Sequence, residues 1–253
     1  MKYLCFLCTV VLSFSFPAYS TSHTLVQTRQ TEVLSDLFDQ LVKRQINSNM
    51  AIEKSVKALL KSYPEQIESV LKIALTKYPQ EYKQIMCGAL RAEPALTSDV
   101  IDMILKSNVA NSEDVISFAV TEEPAYAKEI VNAAVSHDPL DIENIVRVAI
   151  ITEPLMAKHV VDSTMQSYPE RMLDILVVAI KALPDQVVSI VRDTLRISPD
   201  NTEVVSVAIN SSNGDKAREI ISTAIKSGIS KESATAAAIA GGAKQTDIAK
   251  VEQ

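Results

Sequence analysis

The chain has 253 residues, with 31 acidic and 25 basic side chains and a net charge of −6. This acidic balance excludes a general nucleic-acid-binding protein, because binding to the phosphate backbone requires a basic face. After residue 20, no segment approaches the ~18 consecutive apolar residues of a membrane span, so we expect no stable membrane insertion of that part.

Residues 1–20 have the features of an export signal. Lys2 supplies a positive charge, residues 3–16 are uncharged and mostly apolar, and Ala18 and Ser20 are the small residues expected before a cleavage site. The apolar stretch is short for a membrane helix, and an uncleaved anchor is the alternative. We therefore predict cleavage after Ser20 and an exported protein, either periplasmic or extracellular.

The next segment predicts the start of the fold. Residues 21–30 are polar and are expected to form a flexible N-terminus. Residues 31–47 carry apolar residues at helical spacing between charged ones, which predicts an amphipathic capping helix. These apolar residues are Leu34, Leu37, Phe38, Leu41 and Val42.

From residue 48 to residue 242 the sequence is a tandem 15-residue repeat. Two sites of this lattice hold Val109 and Gly214, and proline occupies the others from residue 64 to residue 199. Proline suits the first turn of a helix and disfavours helical geometry in the residue before it, so each one is predicted to end one helix and begin the next. The prolines are Pro64, Pro79, Pro94, Pro124, Pro139, Pro154, Pro169, Pro184 and Pro199.

Within each unit, counted from the residue before proline, the apolar positions follow a helical stripe at positions five, eight, nine, twelve and thirteen. The eighth position is β-branched: Val70, Ile85, Val100, Val115, Ile130, Ile145, Val160, Ile175, Ile190, Val205 and Ile220. The twelfth is small in most units: Ala74, Ala89, Ala119, Ala134, Ala149, Thr164, Ala179, Thr194 and Ala224. We expect the small residues to let adjacent helices approach closely.

A weaker 30-residue period overlies the 15-residue one, because residues 123–131 resemble residues 153–161 more than either resembles the unit between them. Short connections between short helices predict antiparallel neighbours. The sequence therefore predicts an all-α fold, an α-solenoid of about 13 helical units in roughly six two-helix hairpins. The N-terminal capping helix precedes the solenoid, and a polar C-terminal tail, residues 243–253, follows it.

No arrangement of residues typical of catalysis, cofactor binding or metal binding is found. His23, His137 and His159 have no paired cysteine or acid at ligand spacing, and no phosphate-binding or nucleophile motif occurs. We therefore predict a protein that is not an enzyme and has no cofactor. Cys87, the only cysteine after residue 20, is interpreted as a small buried hydrophobe beside Gly88, with an intermolecular disulfide as the alternative.

Acids beside the prolines predict a ladder along one edge of the solenoid, formed by Glu93, Glu122, Glu123, Asp138 and Glu153. Helix capping explains such acids, and a weak cation site or an acidic surface for a basic partner is the alternative. Tyrosines that precede prolines indicate packing over the turns or a binding stripe. The candidate interaction surface comprises Tyr63, Tyr78, Tyr168, Glu93, Glu123, Asp138 and Glu153.

The tandem motif P-x-x-h-x-x-h-h-x-x-A-h, in which h is apolar, follows an export signal and ends in an Ala/Gly-rich unit. In this respect the chain, over residues 48–242, resembles uncharacterised secreted proteins of Gram-negative bacteria. The resemblance implies an architecture and no catalytic residues.

The leading hypothesis for function is a non-enzymatic scaffold that binds another protein or a component of the cell-surface matrix through an extended solenoid surface. Self-assembly into a structural matrix or fibre is the second hypothesis. An enzyme whose site is assembled from scattered residues is the third.

Overall fold

The computed structural model describes residues 20–45 and 50–249. Residues 1–19, 46–49 and 250–253 lie outside the described residues, so the export signal and its cleavage stay predictions from the sequence. Within the described ranges the chain is helical and contains no strand.

The described residues form fifteen α-helices in chain order. The first five are α1 (Ser20–Arg44), α2 (Ala51–Ser62), α3 (Ile67–Lys77), α4 (Tyr82–Leu90) and α5 (Thr97–Lys106). The next five are α6 (Ser112–Glu122), α7 (Ala127–His137), α8 (Ile142–Thr152), α9 (Ala157–Ser167) and α10 (Met172–Ala182). The last five are α11 (Val187–Ile197), α12 (Glu203–Ser211), α13 (Ala217–Lys226), α14 (Lys231–Ala240) and α15 (Gln245–Ala249).

The prolines punctuate the helices as predicted, but all except Pro199 begin a one-turn 3₁₀ segment rather than the α-helix itself. Before Pro154, for example, Glu153 leaves helical geometry, with φ −134° and ψ 82°. Its N–H donates to the carbonyl of Ala149, and its own carbonyl accepts from the N–H of Met156, both at 3.0 Å. One non-helical residue thus ends a helix and starts the next turn, so the chain reverses without a loop.

Helices two apart in sequence contact each other along the whole fold, in addition to the contacts between consecutive helices. The chain therefore builds two layers of stacked helices. Layer A contains α1, α3, α5, α7, α9, α11 and α13, and layer B contains α2, α4, α6, α8, α10, α12 and α14. The structural repeat is a 30-residue hairpin of two helices, which confirms the all-α solenoid predicted from the sequence.

The buried core follows the predicted positions of each unit. Every residue named above at the eighth position is buried, and those at the twelfth are at most 1 % exposed. The two threonines at the twelfth position satisfy their hydroxyls within their own helices. Thr164 donates to the carbonyl of Val160 at 2.8 Å, and Thr194 donates to that of Ile190 at 2.9 Å.

Both ends contain more helix than predicted. Helix α1 includes residues 21–30, which were expected to precede the helix. No proline or glycine occurs between Ser20 and Arg44, so no residue type interrupts the helix there. At the other end, α15 lies in the segment predicted to be a polar tail, because Ile248 is buried and α15 contacts α13 and α14.

The stacking within each layer is sparse where α5 follows α3 and where α6 follows α4. Contacts from α3 to α5 and from α4 to α6 are much sparser than those from α2 to α4 or from α5 to α7. Gly88 in α4 lies against the backbone of Glu53 in α2, whereas the same unit position in α6 holds Phe118. Helix α4 therefore packs backbone to backbone on α2, and α6 packs on α4 through side chains.

Candidate functional site

The predicted interaction residues are divided between two edges of the solenoid, because consecutive turns lie at opposite ends of the helices. Turns that lead into layer A form the first edge and carry Tyr63, Glu93, Glu123 and Glu153. Turns that lead into layer B form the second edge and carry Tyr78, Asp138 and Tyr168. The prediction of one acidic ladder was therefore wrong in including Asp138, because the 15-residue unit is only half of the structural repeat.

Helix capping explains only one of these acids. The carboxylate of Asp138 accepts from the N–H of Leu140 at 3.2 Å. Glu93, Glu123 and Glu153 precede prolines in the same way, but their side chains make no capping hydrogen bond. Aspartate is the better cap because its shorter side chain reaches the free N–H groups of the first turn.

Two of the three tyrosines are engaged in packing. The ring of Tyr78 meets that of Phe38 edge to face, with centroids 6.0 Å apart. The hydroxyl of Tyr168 lies 3.3 Å from that of Ser136 in the neighbouring hairpin. Tyr63 is 42 % exposed. Of the tyrosines singled out in the sequence, Tyr63 alone presents a largely free surface for binding.

A charged cluster on layer B, not anticipated from the sequence, joins three helices. Arg91, just after α4, donates to Glu53 of α2 at 2.8 Å and to Glu122 of α6 at 2.7 Å. The side chain of Glu53 is only 8 % exposed, and the ion pair with Arg91 offsets part of the cost of burying it. The paired residues are 38 and 31 positions apart. A search of the sequence for opposite charges about 30 residues apart could have revealed these ion pairs.

Cys87 belongs to the same cluster. It is 5 % exposed, and its thiol donates to the Glu122 carboxylate at 3.5 Å. Burial, together with the nearby carboxylate of Glu53, raises the pKa of this thiol from 9.0 to about 12, although Arg91 opposes the rise. The predicted burial of Cys87 is confirmed, but its thiol lies in a charged cluster, and with its raised pKa it is a poor nucleophile at neutral pH.

Two openings in layer A lie beside α3. The α3–α5 cleft, of about 540 Å³, is lined by Leu75, Met103 and Val109, with Lys72 and Lys106 at its rim. A second groove, between α1 and α3, measures about 720 Å³ and shares Lys72 and Thr76 with the first. Because the two openings share residues, they form a continuous surface across three helices.

Large apolar side chains are exposed in the middle and at both ends of the solenoid. Leu140 and Leu155 are each 88 % exposed and occupy the third position of consecutive units, so they lie on opposite edges. Val33 and Met50 are exposed near the N-terminal end, and Ile239 is exposed near the C-terminal end. Single exposed apolar residues are common on protein surfaces. Apolar residues at both ends of a solenoid are different, because two molecules could stack end to end through them.

The described residues contain no group of three or more histidine, cysteine or acidic side chains that could hold a metal ion. Among them, His137 and His159 are exposed and belong to different helices, α7 and α9. No helix within the described ranges is long and apolar enough to cross a membrane.

No protein-family model matches the sequence. No curated protein matches it, and no solved structure matches it. The resemblance to secreted Gram-negative proteins is thus supported here only by the repeated, proline-punctuated helices.

Proposed function

We propose that the chain is a non-enzymatic, exported scaffold that binds another protein or a component of the cell-surface matrix along its solenoid surface. The observation that supports this function best is the continuous opening across α1, α3 and α5. Stacked helical repeats expose long surfaces of this kind, on which a partner contacts several repeats at once.

The surface beside α3 has the composition expected of a protein-binding region. Apolar side chains line the α3–α5 cleft, and charged side chains of both signs surround it, including Lys72, Glu68 and Asp99. Lys72 is exposed and makes no ion pair within the described residues. An apolar centre with a polar rim is the usual arrangement of a protein–protein interface.

Site-specific photo-crosslinking tests the scaffold function in cells that export the protein. A photoreactive amino acid in place of Lys72 is expected to give a discrete adduct of higher mass. The control replaces Arg192, which is exposed on α11 of the same layer, outside the clefts described above. No adduct from either position, or equal labelling from both, would count against a binding surface beside α3.

Self-assembly is the second candidate, and the exposed apolar residues at the two ends favour it. Val33 and Met50 lie at one end of the stack and Ile239 at the other, where solenoids normally place polar caps. Light scattering over a range of protein concentrations distinguishes the two functions. A mass that stays that of a monomer would eliminate self-assembly, whereas growth that is abolished by Ile239→Ser would favour it.

Export itself belongs to the proposal, because residues 1–19 lie outside the described structure. We expect the purified extracytoplasmic protein to begin at Thr21, after removal of residues 1–20. Intact-protein mass spectrometry measures this directly. A protein that retains Met1 in the membrane fraction would support the uncleaved anchor instead.

A further inference from the structure

The junction between α4 and α5 divides the solenoid into an N-terminal body, α1–α4, and a C-terminal body, α5–α15. Backbone contacts across this junction are sparser than across the α6–α7 junction in both layers, and sparser than across the α2–α3 junction in layer B. Helix α4 also ends early, at Leu90, and Ala92 donates to the carbonyls of both Gly88 and Ala89. Stacked helices therefore approach each other less closely at this junction than within the α5–α8 region.

On layer B, long side chains bridge the gap between the two bodies. Arg91 binds Glu122, and the Cys87 thiol donates to the same carboxylate. The ammonium of Lys83 lies 5.5 Å from the ring centroid of Phe118, within range of a cation–π interaction. Arg91 is held in turn by the buried carboxylate of Glu53, so its guanidinium is anchored in the N-terminal body.

On layer A, the same junction is open. The α3–α5 cleft lies at the second edge, near the C-terminal ends of α3 and α5, whereas the Arg91 cluster lies at the first edge of the other layer. No ion pair joins α3 to α5 among the described residues. Lys106 at the rim pairs with Asp102 of its own helix at 2.6 Å. Among the described residues, no ion pair therefore holds the two sides of the cleft at a fixed distance.

We propose that the α4–α5 junction is a hinge, that the Arg91–Glu122 ion pair is its latch, and that release of the latch narrows the α3–α5 cleft. The two layers lie on opposite sides of the connection, so opening one side of the junction closes the other. Hinges of this kind use a few residues at the ends of helices to absorb the motion.

Lysine crosslinking of the intact chain reports the distance across the cleft without engineered residues, because Lys72 and Lys106 line its two sides. A short amine-reactive crosslinker is applied to the wild type and to Glu122→Gln, and the Lys72–Lys106 product is quantified by mass spectrometry. The internal control is the Lys128–Lys158 product, between α7 and α9 of the C-terminal body. The control variant is Glu113→Gln, which removes the Arg147–Glu113 pair between α6 and α8 of layer B.

The hinge predicts a severalfold rise in the Lys72–Lys106 product for Glu122→Gln, with Lys128–Lys158 unchanged and no rise for Glu113→Gln. Glu122→Asp, which keeps the charge but withdraws the carboxylate from Arg91 by one methylene group, should change the product in the same direction. This variant decides the question if Glu122→Gln does not fold. An unchanged or lower Lys72–Lys106 product, or an equal change in the control pair, would overturn the hinge.

Discussion

Gly88 of α4 lies directly against the backbone of Glu53 in α2. A Cβ at Gly88 would be 2.5 Å from the carbonyl oxygen of Glu53, well inside van der Waals contact. This close approach places Arg91, one turn further along, within reach of the Glu53 carboxylate. The absence of one side chain therefore permits the tightest helix contact in the N-terminal body and the charged cluster beside it.

Substitution of Gly88 by alanine should destabilise the protein by roughly 1–3 kcal/mol, because the backbone of α2 must move to admit the methyl group. In an unconstrained helix the same substitution would stabilise the protein by up to ~1 kcal/mol. The sign of the change in unfolding free energy therefore shows whether the backbones are in contact. Denaturant unfolding measures the change. A variant at least as stable as the wild type would show that α2 and α4 are not in backbone contact.

Replacement of Ala149 by leucine should cost roughly 1–3 kcal/mol, because this residue is 1 % exposed between stacked helices. Ala125→Leu is the matched control, since Ala125 is exposed and the same unit position already holds Leu140 and Leu155. We expect the control to stay within about 0.5 kcal/mol of the wild type. Equal melting temperatures for the two variants would contradict the assignment of the twelfth position to the helix seam.

Proline at residue 214 would restore the sequence lattice but should not fit the structure. Gly214 has φ +79°, and its N–H donates to the carbonyl of Ile209 at 2.8 Å. Proline fixes φ near −65° and has no N–H, so we expect a loss of ~3 kcal/mol. Gly214→Ala should lose less, because a Cβ has space there and only the positive φ is unfavourable. If Gly214→Pro is as stable as Gly214→Ala, then residue 214 does not have a positive φ and a hydrogen-bonded N–H.

Stability should fall as the pH rises above 9, in part because of Cys87. Its pKa is about 12 in the folded protein and 9.0 otherwise, so the unfolded chain releases the thiol proton first. The contribution is complete below pH 9 and is lost between pH 9 and about 12. The melting temperature should therefore fall less between pH 7.5 and pH 10 for Cys87→Ala than for the wild type. Equal losses would indicate that the thiol is not buried.

The sequence was sufficient to predict the fold because core packing repeats at every unit. From residue 63 to residue 227 the eighth and twelfth positions are buried, even in the units of Val109 and Gly214, where the proline is missing. A helical period and a 30-residue similarity are properties of the chain itself, so no three-dimensional information was needed to identify them.

The side-chain contacts between repeats could not be predicted in the same way. Whether Arg91 meets Glu122 depends on which layer each helix joins and on how far α4 and α6 are apart. Likewise, Asp138 and Glu153 look equivalent in sequence, but only the shorter carboxylate caps its turn. Such differences arise from small differences in distance, which a repeat pattern does not encode.

A comparison of two internal deletions tests most directly whether the structural repeat is the 30-residue hairpin. Removal of residues 123–152 deletes one hairpin, α7 and α8, and leaves every remaining helix in its own layer. Removal of residues 123–137 deletes α7 alone and shifts all later helices to the opposite layer, although the 15-residue lattice stays intact.

We expect the 30-residue deletion to unfold cooperatively in circular-dichroism melting, with a stability close to that of the wild type. The 15-residue deletion should be far less stable or fail to fold, because side chains matched to one layer would face the other. A 15-residue deletion as stable as the 30-residue deletion would contradict the two-layer arrangement.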